Sequence, residues 1–190
     1  MLPKYFKPKN EYDLIRLGQD NDGGYLVEKK SIENSKSLVT LGLGYDWSFE
    51  KDFYSLTKKP IFCYDHTVNY SAIKKVSRKF LFSYIFRIFK PKYIFKKNFF
   101  KHLFKNILLF RDYKLFFNTK AKHFEKRIGS GQGGIKLEKI LEDKRDLCPL
   151  FLKIDIEGSE YRIFEEIIKH QDNFTGIAIE LHDVDLHREK

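Results

Sequence analysis

At 190 residues, 42% of them hydrophobic, the chain is long enough for one domain with a buried core and too apolar for disorder. Met1-Leu2-Pro3-Lys4-Tyr5-Phe6-Lys7-Pro8 lacks the apolar run of a cleavable signal, and there is no run of about 18 apolar residues, so neither a leader nor a bilayer span is predicted. The formal net charge of +10 belongs to one segment: residues 71–122 hold 15 Lys/Arg against a single acid, Asp112, and the remainder sums to −4.

In chain order, Gln19-Asp20-Asn21-Asp22-Gly23-Gly24 reads as a loop, because Gly, Asn and Asp supply the positive φ that tight turns need. Tyr25-Leu26-Val27 reads as a short strand. Residues 37–41 are an apolar run bounded by glycine, the pattern of a buried parallel strand. Gly42-Leu43-Gly44-Tyr45-Asp46 follows as a loop, and a helix starts near Asp46 or Ser48, either of which suits an N-cap. Residues 60–65 form a second strand that ends on Asp65. In the basic segment, Ile94, Phe95, Phe99, Leu103, Ile107 and Phe110 recur near helical spacing with lysines between them, which predicts one or two basic amphipathic helices broken at Pro91. A third strand is expected over 123–128, then the glycine run 129–134 and a helix over 135–141. Residues 149–156 are the fourth strand, followed by a helix from Gly158 or Ser159 to about His170. Residues 176–181 are the fifth.

Strands alternating with helices predict an α/β fold with a mainly parallel sheet and a helical insert at about 71–122, all within one domain over 1–190. Only five strands can be placed before the charged stretch ending at Lys190, so either a C-terminal truncation or the absence of the last strands of such a sheet is expected. Cys63 and Cys148 are far apart in apolar surroundings and read as free thiols in a reducing cytoplasm.

Ligands of open α/β sheets bind beyond the carboxyl ends of the strands, and the candidate residues sit at such ends. Gly42 and Gly44 close the first parallel strand, and Asp65 closes the second. Glycines there let backbone approach a ligand, and a carboxylate about 20 residues on can accept two ribose hydroxyls. This is a pattern for a nucleoside-containing cofactor, although a tight turn and an ordinary strand-end Asp would look the same. The dinucleotide fingerprint asks for a third glycine. Trp47 stands in its place, which argues against a bound pyrophosphate.

The run Leu150-Phe151-Leu152-Lys153-Ile154-Asp155-Ile156-Glu157-Gly158-Ser159-Glu160-Tyr161 resembles the Lys-Ile-Asp-Ile-Glu-Gly-x-Glu signature of FkbM-type methyltransferases. Gly176-Ile177-Ala178-Ile179-Glu180-Leu181-His182 resembles the strand that follows it there. Ile15-Arg16-Leu17-Gly18 with Asp22-Gly23-Gly24-Tyr25, and Gly42-x-Gly44-x-Asp46-x-Ser48-Phe49-Glu50, resemble the N-terminal element and the first cofactor motif of a related subgroup. The resemblance covers about two thirds of the chain and leaves the basic insert without a counterpart. It departs in the first motif, where many members have Asp-x-Gly-Ala-Asn-x-Gly.

The resemblance implies a Rossmann-like core, S-adenosyl-L-methionine (SAM) as cofactor, and O-methylation of a sugar or glycan hydroxyl. It implies that Gly42, Gly44 and Asp46 border the methionine part of the cofactor, that Ser48 and Phe49 open the helix beside it, and that Asp65 holds the ribose. Gly129 would lie near adenine, Asp22 and Gly24 would belong to a segment closing over the cofactor, and Lys153, Asp155 and Glu157 would line the reaction centre. An alcohol acceptor must lose its proton, and Asp155 and His182 are the candidate bases. Alternatively Asp155 caps a helix and His182 sits in a solvated turn. No metal site is assigned, although His182, Asp183, Asp185 and His187 could alternatively bind a divalent ion.

The insert reads as a solvated lysine face over an aromatic core, as an in-plane helix on an anionic membrane, or, least favoured, as a nucleic-acid surface. The competing functions are a methyltransferase for RNA or another small molecule, and a non-catalytic SAM-fold binding module at a membrane.

Overall fold

The computed structural model describes residues 10–20, 23–88, 99–131 and 133–184, and within its two long helices the side chains at 80–81, 83–88 and 99–107 are outside the description. Its centre is a five-stranded, all-parallel sheet. β3 (Leu38–Leu41) lies in the middle, between β4 (Ile61–Tyr64) and β8 (Leu150–Ile154), with β5 (Lys122–Phe124) and β9 (Phe174–Ile179) at the edges. Every residue of β3, β4 and β8 is buried, which is why their sequences are near-continuous apolar runs.

Side chains alternate across a strand, and this splits the core in two. Leu38, Ile61, Cys63 and Phe151 face one layer, built with Phe49 and Phe53 of α2 (Ser48–Thr57) and Ile32 of α1 (Lys29–Asn34). Val39, Leu41, Phe62, Leu152 and Ile154 face the other, built with Leu137 and Ile140 of α5 (Leu137–Asp143) and Ile167 of α6 (Phe164–Lys169). Each fully buried Leu, Ile or Phe contributes about 1.5–3 kcal/mol. Crossovers before β5 run on the first face and those after it on the second, so the winding reverses between β3 and β8.

Two long helices, α3 (Tyr70–Ile88) and α4 (Phe99–Thr119), pack on each other between β4 and β5. Phe110 packs against the first core layer, while Pro91, Ile94 and Phe95 lie outside the described residues. Asp112, the one acid of the basic segment, holds α4 to the core: it pairs with Lys51 and accepts the Trp47 indole N–H at 2.8 Å. Trp47 also meets Tyr113 edge-on, with centroids 5.5 Å apart. Cys63 and Cys148 are free. No helix among the described residues is long and apolar enough to cross a membrane.

Several boundaries differ from the sequence expectation. The third strand stops at Phe124, because Lys126 N–H turns back onto Phe124 O at 2.8 Å. β6 (Arg127–Ile128) then pairs with β7 (Gly134–Ile135) in a ladder of its own, so Ile135 is strand rather than helix. The helix expected from Gly158 is a 3-10 turn, Glu160–Arg162, followed by α6. β1 (Leu14–Leu17) was not foreseen; it forms an antiparallel hairpin with β2 (Tyr25–Glu28), and Leu17 and Val27 seal the first core layer.

Candidate functional site

The carboxyl ends of β3, β4 and β8 meet at the reversal of winding, where ligand clefts of open α/β sheets form. A cavity of about 270 Å³ lies there, and its wall includes Gly42, Asp65, Ile128, Asp155, Ile156 and Glu157. The sheet ladder continues into it: Gly42 N–H donates to Tyr64 O at 2.9 Å, and Asp155 N–H to Leu41 O at 2.8 Å. Gly42 has φ +83°, and a Cβ at this position would run into the Asp155 carbonyl oxygen. A glycine is therefore required for β3 to pass beneath the end of β8.

Asp65 is the clamp of this floor. Its Oδ2 accepts the N–H groups of Leu43 (2.8 Å) and Gly44 (3.0 Å). Its Oδ1 accepts Thr67 N–H (2.7 Å), Thr67 Oγ1–H (2.6 Å) and, at 3.3 Å, Val68 N–H. Burial pushes this carboxyl up, but the donors from Thr67, Gly44 and Leu43 more than offset it and hold the pKa below the usual carboxylate range. One oxygen holds the β3–α2 loop and the other the turn after β4, tasks that motif spacing does not reveal.

The remaining cofactor candidates are scattered around this floor. Asp46 Oδ1 accepts Ser48 N–H at 3.0 Å, and its Oδ2 is bonded to the Gln19 amide. Asp46 and Ser48 line a different cavity, of about 370 Å³, with Lys51 and Asp112. Phe49 is buried in the first core layer, edge-on to Tyr25 at 5.7 Å, and does not reach the cleft. Gly44 is exposed, and Gly129 follows β6 beside Ile128 without lining the cavity. Gly24 belongs to the β1–β2 turn, where a side chain would strike Gln19 O. Asp22 lies outside the described residues.

The end of β8 carries the charged groups. Lys153 points to the same face as Phe151 and is 3% exposed. Its Nζ is 3.4 Å from Glu50 Oε1, and Glu50, 0% exposed, also accepts the Thr40 hydroxyl at 2.8 Å. The ammonium lies 5.4 Å from the centre of the Tyr25 ring. Burial pulls its pKa down, but Glu50, Asp155 and Cys63 together leave it raised, so the pair is ionic. Lys153 is thus closed off beneath the reaction centre that the resemblance implies for it.

Two residues on, Asp155 is half-buried at the cleft. Tyr25 donates its hydroxyl to Glu180 Oε2 at 2.7 Å and lies 3.4 Å from Asp155 Oδ2, tying the N-terminal hairpin to the ends of β8 and β9. His182 Nδ1 is 3.1 Å from Glu160 Oε1. Its Nε2 faces Asp155 (3.8 Å), Glu157 (3.7 Å) and Glu180 (3.8 Å). Glu157 takes a left-handed backbone with φ 52°. Desolvation pushes the Asp155 carboxyl up, with Glu180 and Glu157 adding to it against Lys153 and His182. Desolvation lowers His182, but Glu160, Glu157 and Asp155 outweigh it, so the imidazole is more basic than usual.

The structure brings together Asp155, Glu157 and His182 from the sequence candidates, with Gly42 and Asp65 across the floor. The sequence reading missed Glu50, Glu160 and Glu180 as partners. One signal for Glu50 was present: a lysine inside Leu150-Phe151-Leu152-Lys153-Ile154 must find a buried acid. Compared with protein-family models, with curated proteins and with solved structures, the chain matches none.

Proposed function

We propose that the chain is a SAM-dependent O-methyltransferase of the FkbM type, acting on a hydroxyl of a sugar or glycan. The observation that carries this reading is the cleft at the reversal point of the sheet, with a bare glycine on its floor and Asp155 and Glu157 on its rim. The residues suit a nucleoside: Ile128 and Ile156 offer an apolar wall for a purine, and carboxylates stand near for hydroxyls. The cavity is at the small end of ligand clefts, which run from roughly 300 to 1,000 Å³. Gly42, Asp65 and Ile128 would line the place of the cofactor, which supplies an already activated methyl group.

The protein's own work is then to align and deprotonate the acceptor. Asp155 is the base: it is half-buried, its carboxyl is raised by desolvation, and it stands on the cleft wall. Desolvation lowers the His182 pKa, but Glu160, Glu157 and Asp155 raise it further, and its Nε2 faces Asp155 at 3.8 Å, where it helps to position that carboxylate. Lys153, paired with Glu50 and closed off beneath the cleft, supports the end of β8 and takes no part in the transfer. Asp155 and Glu157 on the cavity wall can accept hydrogen bonds from the hydroxyls of an acceptor, and Lys126 and Arg127 line the same cavity. The basic insert is the part of the chain suited to an anionic membrane surface.

Thermal unfolding with S-adenosylhomocysteine tests the reading. At a concentration about a hundred times Kd, specific binding adds about 2.7 kcal/mol, or about 5–10 °C. No shift with either SAM or S-adenosylhomocysteine would remove the cofactor and with it the reaction.

A further inference from the structure

The acid-rich corner holds more negative charge than its one imidazole can balance. Asp155, Glu157, Glu160 and Glu180 surround His182, while Lys153 is already committed to Glu50. We propose that Asp155, Glu157 and His182 form a divalent-cation site on the rim of the cleft.

The donor atoms of these three residues all lie within 4.8 Å of one another. His182 Nε2 is 3.7–3.8 Å from the carboxylate oxygens of Asp155, Glu157 and Glu180, too far for hydrogen bonds. Donors about 2.1 Å from a common ion stand about 3.0–3.4 Å apart, so the cluster must close by up to about 1–2 Å to complete the shell. Glu157 is the movable member, with its side chain 87% exposed.

The second observation concerns what holds His182. A metal-binding histidine ordinarily gives its other ring nitrogen to a carboxylate, which fixes tautomer and direction. Here Glu160 takes Nδ1 at 3.1 Å, and Tyr161 donates its hydroxyl to His182 O at 2.7 Å. Glu160 is 0% exposed, accepts Ile156 N–H at 3.0 Å, and its Oε2 has no hydrogen-bond partner among the described residues. Glu160 thus fixes the ring so that Nε2, the nitrogen left for a metal, faces Asp155, Glu157 and Glu180.

Two carboxylates and one imidazole suit a first-row divalent ion such as Mn²⁺, with water completing the shell. The ion's place is beside Asp155, where an acceptor hydroxyl could replace one water; that use rests on the methyl-transfer reading, while the ion site itself does not. Of the alternative metal ligands in the sequence, His182 alone is shared. Asp183 is not in the cluster, and Asp185 and His187 lie outside the described residues.

Chelator-stripped protein titrated with Mn²⁺, with the free ion followed by electron paramagnetic resonance, tests the site. One ion per chain is expected. Glu157→Gln and His182→Asn should each weaken binding at least tenfold, while Asp183→Asn, at an exposed neighbouring acid, leaves it unchanged. Because Glu157 is exposed, E157Q should unfold like the wild type in chelator. No binding up to about 1 mM, the weak end for carboxylate sites, overturns the proposal. So does unchanged affinity in E157Q, or an equal loss in D183N, which would mean diffuse attraction to acids. The titration contains no cofactor, so its failure is separable from a failed S-adenosylhomocysteine shift.

Discussion

Lys153 and Asp155 stand two residues apart on one strand end and on the same face, yet their surroundings are opposite. Lys153 is sealed between Thr40, Glu50 and the Tyr25 ring, charge matched to charge. Asp155 is half-buried among three other carboxylates and borders a cavity. A balanced, closed pair supports structure, because neither member can meet a ligand without leaving the other bare. An unbalanced, open cluster is where perturbed protonation and ligand access coincide. A charged residue next to a cleft therefore gets its role from its partners more than from its distance to the chemistry.

The largest effect should come from the open member. Asp155→Asn removes the proposed proton acceptor and should lower kcat by about 10²–10⁴-fold while unfolding at nearly the wild-type temperature. Near-normal turnover in D155N would take it out of the mechanism. The closed member should respond the other way. Lys153→Met leaves Glu50 buried without its partner, a loss of about 3–5 kcal/mol or about 6–20 °C. Adding Glu50→Gln to K153M should restore most of that stability and keep methyl transfer. If K153M is fully stable but inactive, the contrast between the two residues is reversed, and the lysine belongs to the reaction.

The parallel sheet was legible because β3, β4 and β8 are buried on both faces and leave near-continuous apolar runs in the sequence. The ends of elements were not, since they depend on single backbone bonds such as Lys126 N–H to Phe124 O. Within the site, residues on the β8 end were legible as chemistry. Their partners were not, because Glu50, Tyr25 and Glu180 come from distant stretches that only the fold joins. Asp46, Ser48 and Phe49 show the reverse error: one contiguous motif is divided by the α2 start between another cavity and the core. The apolar spacing with lysines between was a signal for the helix Phe99–Thr119, but not for Tyr70–Ile88 nor for the Asp112 anchor to Lys51 and Trp47.

Asp65 offers the smallest effect and a sharp distinction. A residue that only held a ribose would be silent until cofactor bound. The observed carboxylate already holds Leu43, Gly44 and Thr67, so Asp65→Asn should destabilise the cofactor-free protein by about 1.5–3 kcal/mol, or about 3–12 °C. The pH dependence carries the same signature. Because the folded carboxyl is held below its unfolded value, its contribution is complete above the unfolded pKa of about 3.9 and is lost as pH falls through the folded one. The gap in stability between wild type and D65N should therefore be constant near neutral pH and shrink in acid below about pH 4. A gap that appears only with S-adenosylhomocysteine present would return Asp65 to a purely ligand-holding role.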